Sequence, residues 1–238
     1  MSQTNSPKSD PANIIELHDV HYQIPSDDKV LDIIKACDLR VQSNEVIAIV
    51  GRSGSGKSTL LSLMAGLESA TSGQVNLLGQ NLNRCSEDQR ASIRAQQVGF
   101  IFQNFQLMPS MTALENVLMP LELFQIEHAE SKALKALEQV GLSHRANHRP
   151  AELSGGEQQR VAIARAFVTE PKILFADEPT GNLDEETAEQ IQSLLLELNQ
   201  TRNTTLILVT HDTDFANRCQ KKYLLLNGHL IEQMDGNG

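Results

Sequence analysis

One eight-residue stretch, Gly51-Arg52-Ser53-Gly54-Ser55-Gly56-Lys57-Ser58, limits what this chain can fold into more than any other. It follows the continuously apolar run Val46–Val50, and Thr59 then leads into the helix-forming run Leu60–Leu67. A short apolar run without alternation reads as a strand buried on both faces, which calls for a parallel sheet covered by helices. The glycines let backbone N–H groups wrap an anion with no Cβ in the way. The helix that follows turns its positive end toward the same anion. Lys57 suits neutralising the outer phosphates of a nucleotide, and the Ser58 hydroxyl suits Mg²⁺. Taken alone, the loop fits a kinase or a switch GTPase equally well.

The rest of the chain agrees with an α/β frame. Ile14–Ile24, Val30–Val41, Gly73–Leu78 and Val98–Phe102 read as strands. From about residue 104 the character changes to helical. Thr112 and Glu115 form a capping box, Pro120 should kink or end the helix they open, and Glu127–Val140 is a second helix stopped by Gly141. Ser154 and Glu157 form another capping box before the helix Gln158–Val168. Ile173–Ala176 and Thr205–Val209 are strands, with a helix capped by Asp184 between them running to about Leu198. Tyr223–Leu226, Asn227-Gly228 and His229–Glu232 give a hairpin.

Two further stretches carry chemistry. Ile173-Leu174-Phe175-Ala176-Asp177-Glu178 places two acids at the carboxyl end of a buried strand, where ligands of such sheets bind. Asp177 suits the metal side, and Glu178 suits polarising an attacking water. Leu153-Ser154-Gly155-Gly156-Glu157-Gln158-Gln159-Arg160 is a second helix start fit to hold an anion. A chain with one lysine-bearing phosphate loop has no obvious need of it. One solution is that it serves the nucleotide bound by another copy.

Charge and cysteine usage remove other classes. The 238 residues carry a formal net charge of -10, and the basic face of a nucleic-acid binder is not expected. Mean hydropathy is -0.28 with 40% hydrophobic residues, enough for an ordinary core. Cys37, Cys85 and Cys219 are widely spaced and fit reduced thiols. No apolar run approaches the ~18 residues of a membrane span, so membrane attachment is expected through a partner. Residues 1–13 read as a disordered leader that lacks the basic and apolar regions of a secretory signal.

LSGGEQQR resembles the signature of the ATP-binding-cassette (ABC) ATPases, and the other motifs of that family follow in order. Tyr22 is similar to the aromatic that stacks on adenine. Gln103, in Val98–Gln103, is similar to the glutamine of the Q-loop. Thr180-Gly181-Asn182-Leu183-Asp184 resembles the D-loop, and His211, in Leu208–Asp212, the switch histidine. The resemblance runs from about Ile14 to Glu232. It implies an ABC ATPase domain over 14–235: a nucleotide-binding core with a mixed sheet, an N-terminal antiparallel β subdomain, and a helical subdomain inserted at about 104–165.

It also implies a mechanism. Two copies sandwich two ATP molecules head to tail. Residues from Gly51 to Thr59, with Tyr22 and Gln103, hold the nucleotide in one copy. Ser154, Gly155, Gly156 and Glu157 of the other copy close over it, with Asp184 of the D-loop. Ser58, Asp177 and Gln103 organise Mg²⁺; Lys57, Glu178 and His211 are the catalytic side chains. One departure is Ser43-Asn44-Glu45, where many relatives carry Gly-Glu; Asn tolerates the left-handed turn needed there.

The wording of the motifs narrows the branch. VGFIFQNFQLMPSMTALENV and FADEPTGNLD resemble the lipoprotein-release and macrolide-export group, closest to members paired with an FtsX-like permease. That implies a peripheral protein on the cytoplasmic face of a bacterial inner membrane, driving export or lipoprotein extraction, with a periplasmic partner reached through the permease. The alternatives are mechanical regulation of a periplasmic enzyme without transport, or a soluble cassette ATPase acting on DNA or ribosomes. Paired cassettes, a long coiled coil or zinc modules would mark the last, and none is seen. The methionine-bearing stretch Asn104–Leu123, with Phe105, Met108, Met111 and Met119, reads mostly as core, and in part as the groove where the permease docks a short helix.

Overall fold

The computed structural model describes residues 13–26 and 29–233; the leader and residues 234–235 of the expected domain lie outside the described residues, except Asn13. Two sheets are present. The first strands, β1 (Asn13–Ser26) and β2 (Lys29–Gln42), pair antiparallel. With β4 (Ser72–Leu77) and β5 (Gln80–Asn81) they form a small sheet in the order β2-β1-β4-β5. The large sheet is built from β3 (Val46–Val50), β6 (Val98–Phe102), β7 (Ile173–Asp177), β8 (Thr205–Thr210), β9 (Lys221–Leu226) and β10 (His229–Gln233). Its order is β10-β9-β3-β8-β7-β6, parallel throughout except for the β9–β10 hairpin.

The unbroken apolar runs have a direct structural cause. Along β3, Ile47 and Ile49 face a core shared with the small sheet, while Val46, Ala48 and Val50 face a core under the helices. Along β8, Ile207 and Val209 take the first side, Leu206 and Leu208 the second. Both faces are dry, so neither set of alternate positions is polar. Asn44, in the turn before β3, has φ 67°, the left-handed conformation its type allows.

Helix α1 (Lys57–Met64) follows the glycine loop, and α2 (Glu87–Gln97) precedes β6. The insert contributes α3 (Ala113–Leu123), α4 (Ala129–Gln139) and α5 (Gly155–Phe167), which pack on one another. Helix α6 (Glu185–Arg202) leads to β8, and the short α7 (Thr213–Asn217) follows it. All three expected N-caps form: Thr112 with Glu115, Ser154 with Glu157, and Asp184 accepting from the Thr187 N–H. Pro120 does not end α3. The helix runs on to Leu123, and the Pro120 carbonyl still accepts from the Phe124 N–H. Proline forfeits its own N–H and its ring crowds the carbonyl one turn back, but this close to a helix end neither stops the helix.

Buried Asn116 fixes the segment between β6 and α3. Its side chain accepts from the Met108 N–H and donates to the carbonyls of Met108, Met111 and Thr112. The three cysteines are free thiols; burial raises the pKa of Cys37 and pushes Cys219 up to about 12.

Candidate functional site

Parallel β3, β8, β7 and β6 are consecutive neighbours, so the loops leaving their carboxyl ends converge on one edge of the sheet. Those four loops hold Gly51–Ser58, His211, Glu178 and Gln103. A cleft of ≈ 620 Å³ opens between them, lined by Ser53, Gly54, Gly56, Lys57, Ser58 and Thr59 of the glycine loop together with Gln103, Glu178 and His211. Ile33 of β2 closes one side. Lys57, Gln103, Glu178 and His211 are thus brought together by sheet order, across more than 150 residues of chain; Gly51, Arg52, Ser55 and Asp177 do not line the cleft.

The loop turns into α1 through Gly56, at φ 97°. A side chain there would be strained by the dihedral and would also meet Ile33, whose Cγ2 lies 3.0 Å from the Cβ position. No side chain caps α1, and its first residues, Lys57, Ser58 and Thr59, line the cleft, which leaves its helix start open to an anion. Arg52, Ser53, Gly54 and Ser55 also border a second recess beside the β9–β10 hairpin.

Lys57 is 7% exposed, and its ammonium donates to the carbonyls of Gly51 at 3.0 Å and Arg52 at 3.3 Å. It stands 3.7 Å from Glu178 Oε1. The other oxygen of Glu178 accepts from the His211 backbone N–H at 3.2 Å and meets His211 Nδ1 at 2.8 Å. A carboxylate only accepts, so Nδ1 carries the proton and Nε2 is left over. Glu178 has φ 47°, a conformation non-glycine residues seldom take and one found often at functional sites. Its backbone N–H is tied to the Val209 carbonyl at 2.8 Å, which fixes the turn.

Asp177 precedes it at the end of β7. Burial raises its pKa, and the adjacent Glu178 charge adds to the rise; the Ser58 hydroxyl, donating to it, and the Lys57 charge act the other way. Its Oδ1 is buried and has no hydrogen-bond partner among the described residues.

Ser154, Gly155, Gly156 and Glu157 are not among the residues lining the cleft. They form the start of α5, with Ser154 exposed and its hydroxyl accepting from the Glu157 N–H. Glu157 Oε2 in turn accepts from the Ser154 N–H at 2.8 Å, and its Oε1 pairs with Arg145 at 2.9 Å. Gly156 is buried, and a Cβ there would lie 2.5 Å from Thr187 Cγ2 on α6. Gly156→Ala should therefore cost about 1–3 kcal/mol of stability, the usual scale of overpacking. Thr187→Ser, which deletes the clashing methyl, should recover most of it; urea denaturation of the single and double variants measures both.

Asp184 caps α6 and lies outside the cleft lining. Tyr22 stands in β1 opposite Ile34, its hydroxyl donating to Glu68 at 3.3 Å; it too is absent from the lining.

Some contributors were not picked from the sequence. Asn182 bonds to the Gln103–Asn104 segment. Arg165, near the far end of α5, donates to the carbonyls of Phe105 at 3.0 Å and Gln106 at 2.7 Å, two residues held at φ 56° and 50°. Gln159, fully buried on α5, donates to the carbonyl of Pro179, next to Glu178. Asn182 lay inside the quoted TGNLD stretch; the other two had no local signal, since only tertiary contact gives them a partner.

Phe100 and Phe102 of β6, with Met119, Pro120 and Phe124 and bordered by Arg94 and Arg165, line a mostly apolar groove of ≈ 350 Å³; Phe105, Met108 and Met111 are not part of it.

A family model described as "ABC transporter" matches residues 34–181. The uncharacterized ABC transporter ATP-binding protein YbbA of Escherichia coli (strain K12) is 51% identical over 223 residues, 93% of this chain and 98% of that one. The lipoprotein-releasing system ATP-binding protein LolD of Hydrogenovibrio crunogenus is 50% identical over 201 residues, 84% of this chain and 87% of that one. Among solved structures, the dimeric post-hydrolysis state of the ATP-binding cassette MJ0796 bound to ADP and Pi superimposes with a TM-score of 0.85 at 37% identity, covering 94% of this chain and all of the other.

Proposed function

This chain belongs to the ABC transporter family as an ATP-binding, ATP-hydrolysing subunit, and from that premise we propose that it works as a head-to-tail homodimer driving an FtsX-like permease. The observation that carries the dimer is the separation of the glycine-bearing start of α5 from the cleft into which α1 opens. The α1 start opens into the cleft, while the α5 start stands outside it with Ser154 exposed. A second copy brings its α5 start over the first copy's cleft and completes each site. The MJ0796 cassette, a dimer in its ADP- and Pi-bound structure, supports this assembly.

The residues at the cleft fit a divalent cation. Mg²⁺ favours oxygen donors; Asp177, at the end of β7, offers a buried oxygen without a partner and is hydrogen-bonded to the Ser58 hydroxyl, and Ser58 and Gln103 line the cleft. Ser58, Asp177 and Gln103 would hold Mg²⁺, which would neutralise charge on the phosphate oxygens. Lys57, lifted from the Gly51 and Arg52 carbonyls, donates to the outer phosphates. Glu178 accepts a hydrogen bond from the attacking water and orients it. His211 Nε2 reaches the terminal phosphate, while Nδ1 stays on Glu178. Tyr22, outside the cleft lining, would stack on the base, and Asp184 would join the dimer contact.

Membrane work requires a partner, since no helix among the described residues is long and apolar enough to cross a membrane. The groove beside Gln103 suits a short amphipathic helix from the cytoplasmic side of that permease, set where its motion reaches the metal site through β6. The LolD relative, named for lipoprotein release, supports extraction or export from the inner membrane as the work done. The protein would then sit at the cytoplasmic face, reaching a periplasmic partner only through the permease. Affinity purification of the tagged chain from detergent-solubilised membranes should recover an integral-membrane protein, and lipoprotein added to that complex should raise its ATPase rate. A partner without such stimulation points instead to mechanical control of a periplasmic enzyme. Recovery of no membrane protein would sink both readings.

A further inference from the structure

Asn182 makes three hydrogen bonds with its side chain, all to one short segment. Its Nδ2 donates to the Gln103 backbone carbonyl at 3.0 Å and to Asn104 Oδ1 at 2.9 Å. Its Oδ1 accepts from Gln103 Nε2 at 3.0 Å. These bonds settle a question that atom positions alone leave open, namely which end of each amide is nitrogen. A backbone carbonyl can only accept, so the Asn182 nitrogen must face it. Its oxygen must then face the Gln103 side chain. That oxygen also can only accept, so Gln103 must present its NH₂ there. Each amide is oriented by the one before it, beginning from the main chain.

The outcome falls on Gln103 Oε1, the atom of that side chain able to ligate a hard cation. With the nitrogen committed to Asn182, the oxygen is the end left for the cleft that Gln103 lines. Gly181 permits the arrangement, because a Cβ there would lie 2.9 Å from Gln103 Nε2. We propose that Asn182 is a positioning residue that fixes the Gln103 carboxamide with its oxygen toward the cation site. This rests on the reading of Gln103 as a Mg²⁺ ligand.

Without Asn182, the Gln103 amide can turn either end to the cleft and must be ordered when the cation binds. The test uses the full chain with a non-hydrolysable ATP analogue and Mn²⁺ in place of Mg²⁺, with free Mn²⁺ followed by electron paramagnetic resonance. Asn182→Ala should weaken Mn²⁺ binding to the analogue complex about fivefold, the scale of one or two exposed hydrogen bonds, with analogue affinity in EDTA unchanged. The Mg²⁺ concentration for half-maximal ATPase should rise by a similar factor. In a Gln103→Glu background the loss should vanish, because a carboxylate has oxygen at both ends and needs no orienting. An Asn182→Ala effect of equal size in a Gln103→Ala background would overturn the proposal, since it would not act through Gln103. An unchanged Mn²⁺ affinity in Asn182→Ala, where Gln103→Ala itself weakens binding, would overturn it while leaving the ligand reading intact. If Gln103→Ala has no effect on Mn²⁺, the ligand reading fails and the proposal falls with it.

Discussion

Glu178→Gln is expected to lower ATP turnover by about 10²–10⁴-fold, the usual contribution of a positioned base, while ATP binding is preserved. The substitution is nearly isosteric. One amide oxygen can still accept from the His211 backbone N–H, which the carboxylate now holds at 3.2 Å. What is lost is the charge, and with it the capacity to draw a proton from water. The charge also stands 3.7 Å from Lys57, where it competes with phosphate for the ammonium. Removing it should hold ATP affinity steady or tighten it. Two consequences follow together: hydrolysis stops, and the ATP-bound dimer accumulates. Light scattering should report a dimer with ATP and Mg²⁺ and a monomer with ADP, alongside a phosphate-release assay near background. Wild-type turnover in this variant would remove Glu178 from the reaction.

Lys57→Ala should act earlier, on binding. Lys57 is 7% exposed and its ammonium already holds two loop carbonyls, so it is both the positive charge of the cleft and part of the loop's shape. Losing charge-assisted hydrogen bonds to phosphate, each about 1.5–3 kcal/mol, should weaken ATP binding at least 10- to 100-fold and abolish measurable hydrolysis. Mixing gives the sharper result. A Ser154→Arg chain, which gives up about 1 kcal/mol of N-cap stability, should also be inactive as a homodimer. A mixed dimer of the two variants has one site where an intact Lys57 faces an intact Ser154. Activity should reappear on mixing, at no more than about half the wild-type rate per dimer. Titration calorimetry with ATP and steady-state assays of the mixture check both parts. Two inactive chains that stay inactive together, though dimerising, would count against a site shared between copies.

Much of the fold was readable because local and global preferences coincide. The runs Val46–Val50, Ile173–Ala176 and Thr205–Val209 are apolar at both alternating sets because both faces of the large sheet are covered. The capping boxes at Thr112 and Ser154 form as their spacing requires. Helix α2 was missed for the opposite reason: it is mostly polar, with Ile93 its buried apolar side chain, and leaves no periodic stripe. Its capping box, Ser86 with Gln89, was the available signal. Of the two outcomes expected at Pro120, an end to the helix does not occur, because the proline falls within one turn of the C-terminus. At the site, the loop and the two acids are contiguous stretches whose order alone implies a chemistry. The bonds that orient them are not contiguous. Asn182 to Gln103, Arg165 to Phe105 and Gln159 to Pro179 join segments separated by 20 to 79 positions, and no local pattern announces such pairs.

Helix α5 touches three places at once. Its first turn presents Ser154, its buried Gln159 is fastened to Pro179 beside Glu178, and its Arg165 holds the strained carbonyls that follow Gln103. Thirteen residues make a rod of roughly 20 Å, too stiff to absorb a displacement by bending. A rod pinned between its ends is a lever, with Pro179 as the fulcrum. In the proposed dimer, a tilt imposed on one arm by a phosphate held at Ser154 would swing the other arm, where Arg165 holds the Phe105 and Gln106 carbonyls. Such a lever would turn the presence of one phosphate into a direction of movement roughly 15 Å further along the helix, without any chain of intermediate rearrangements.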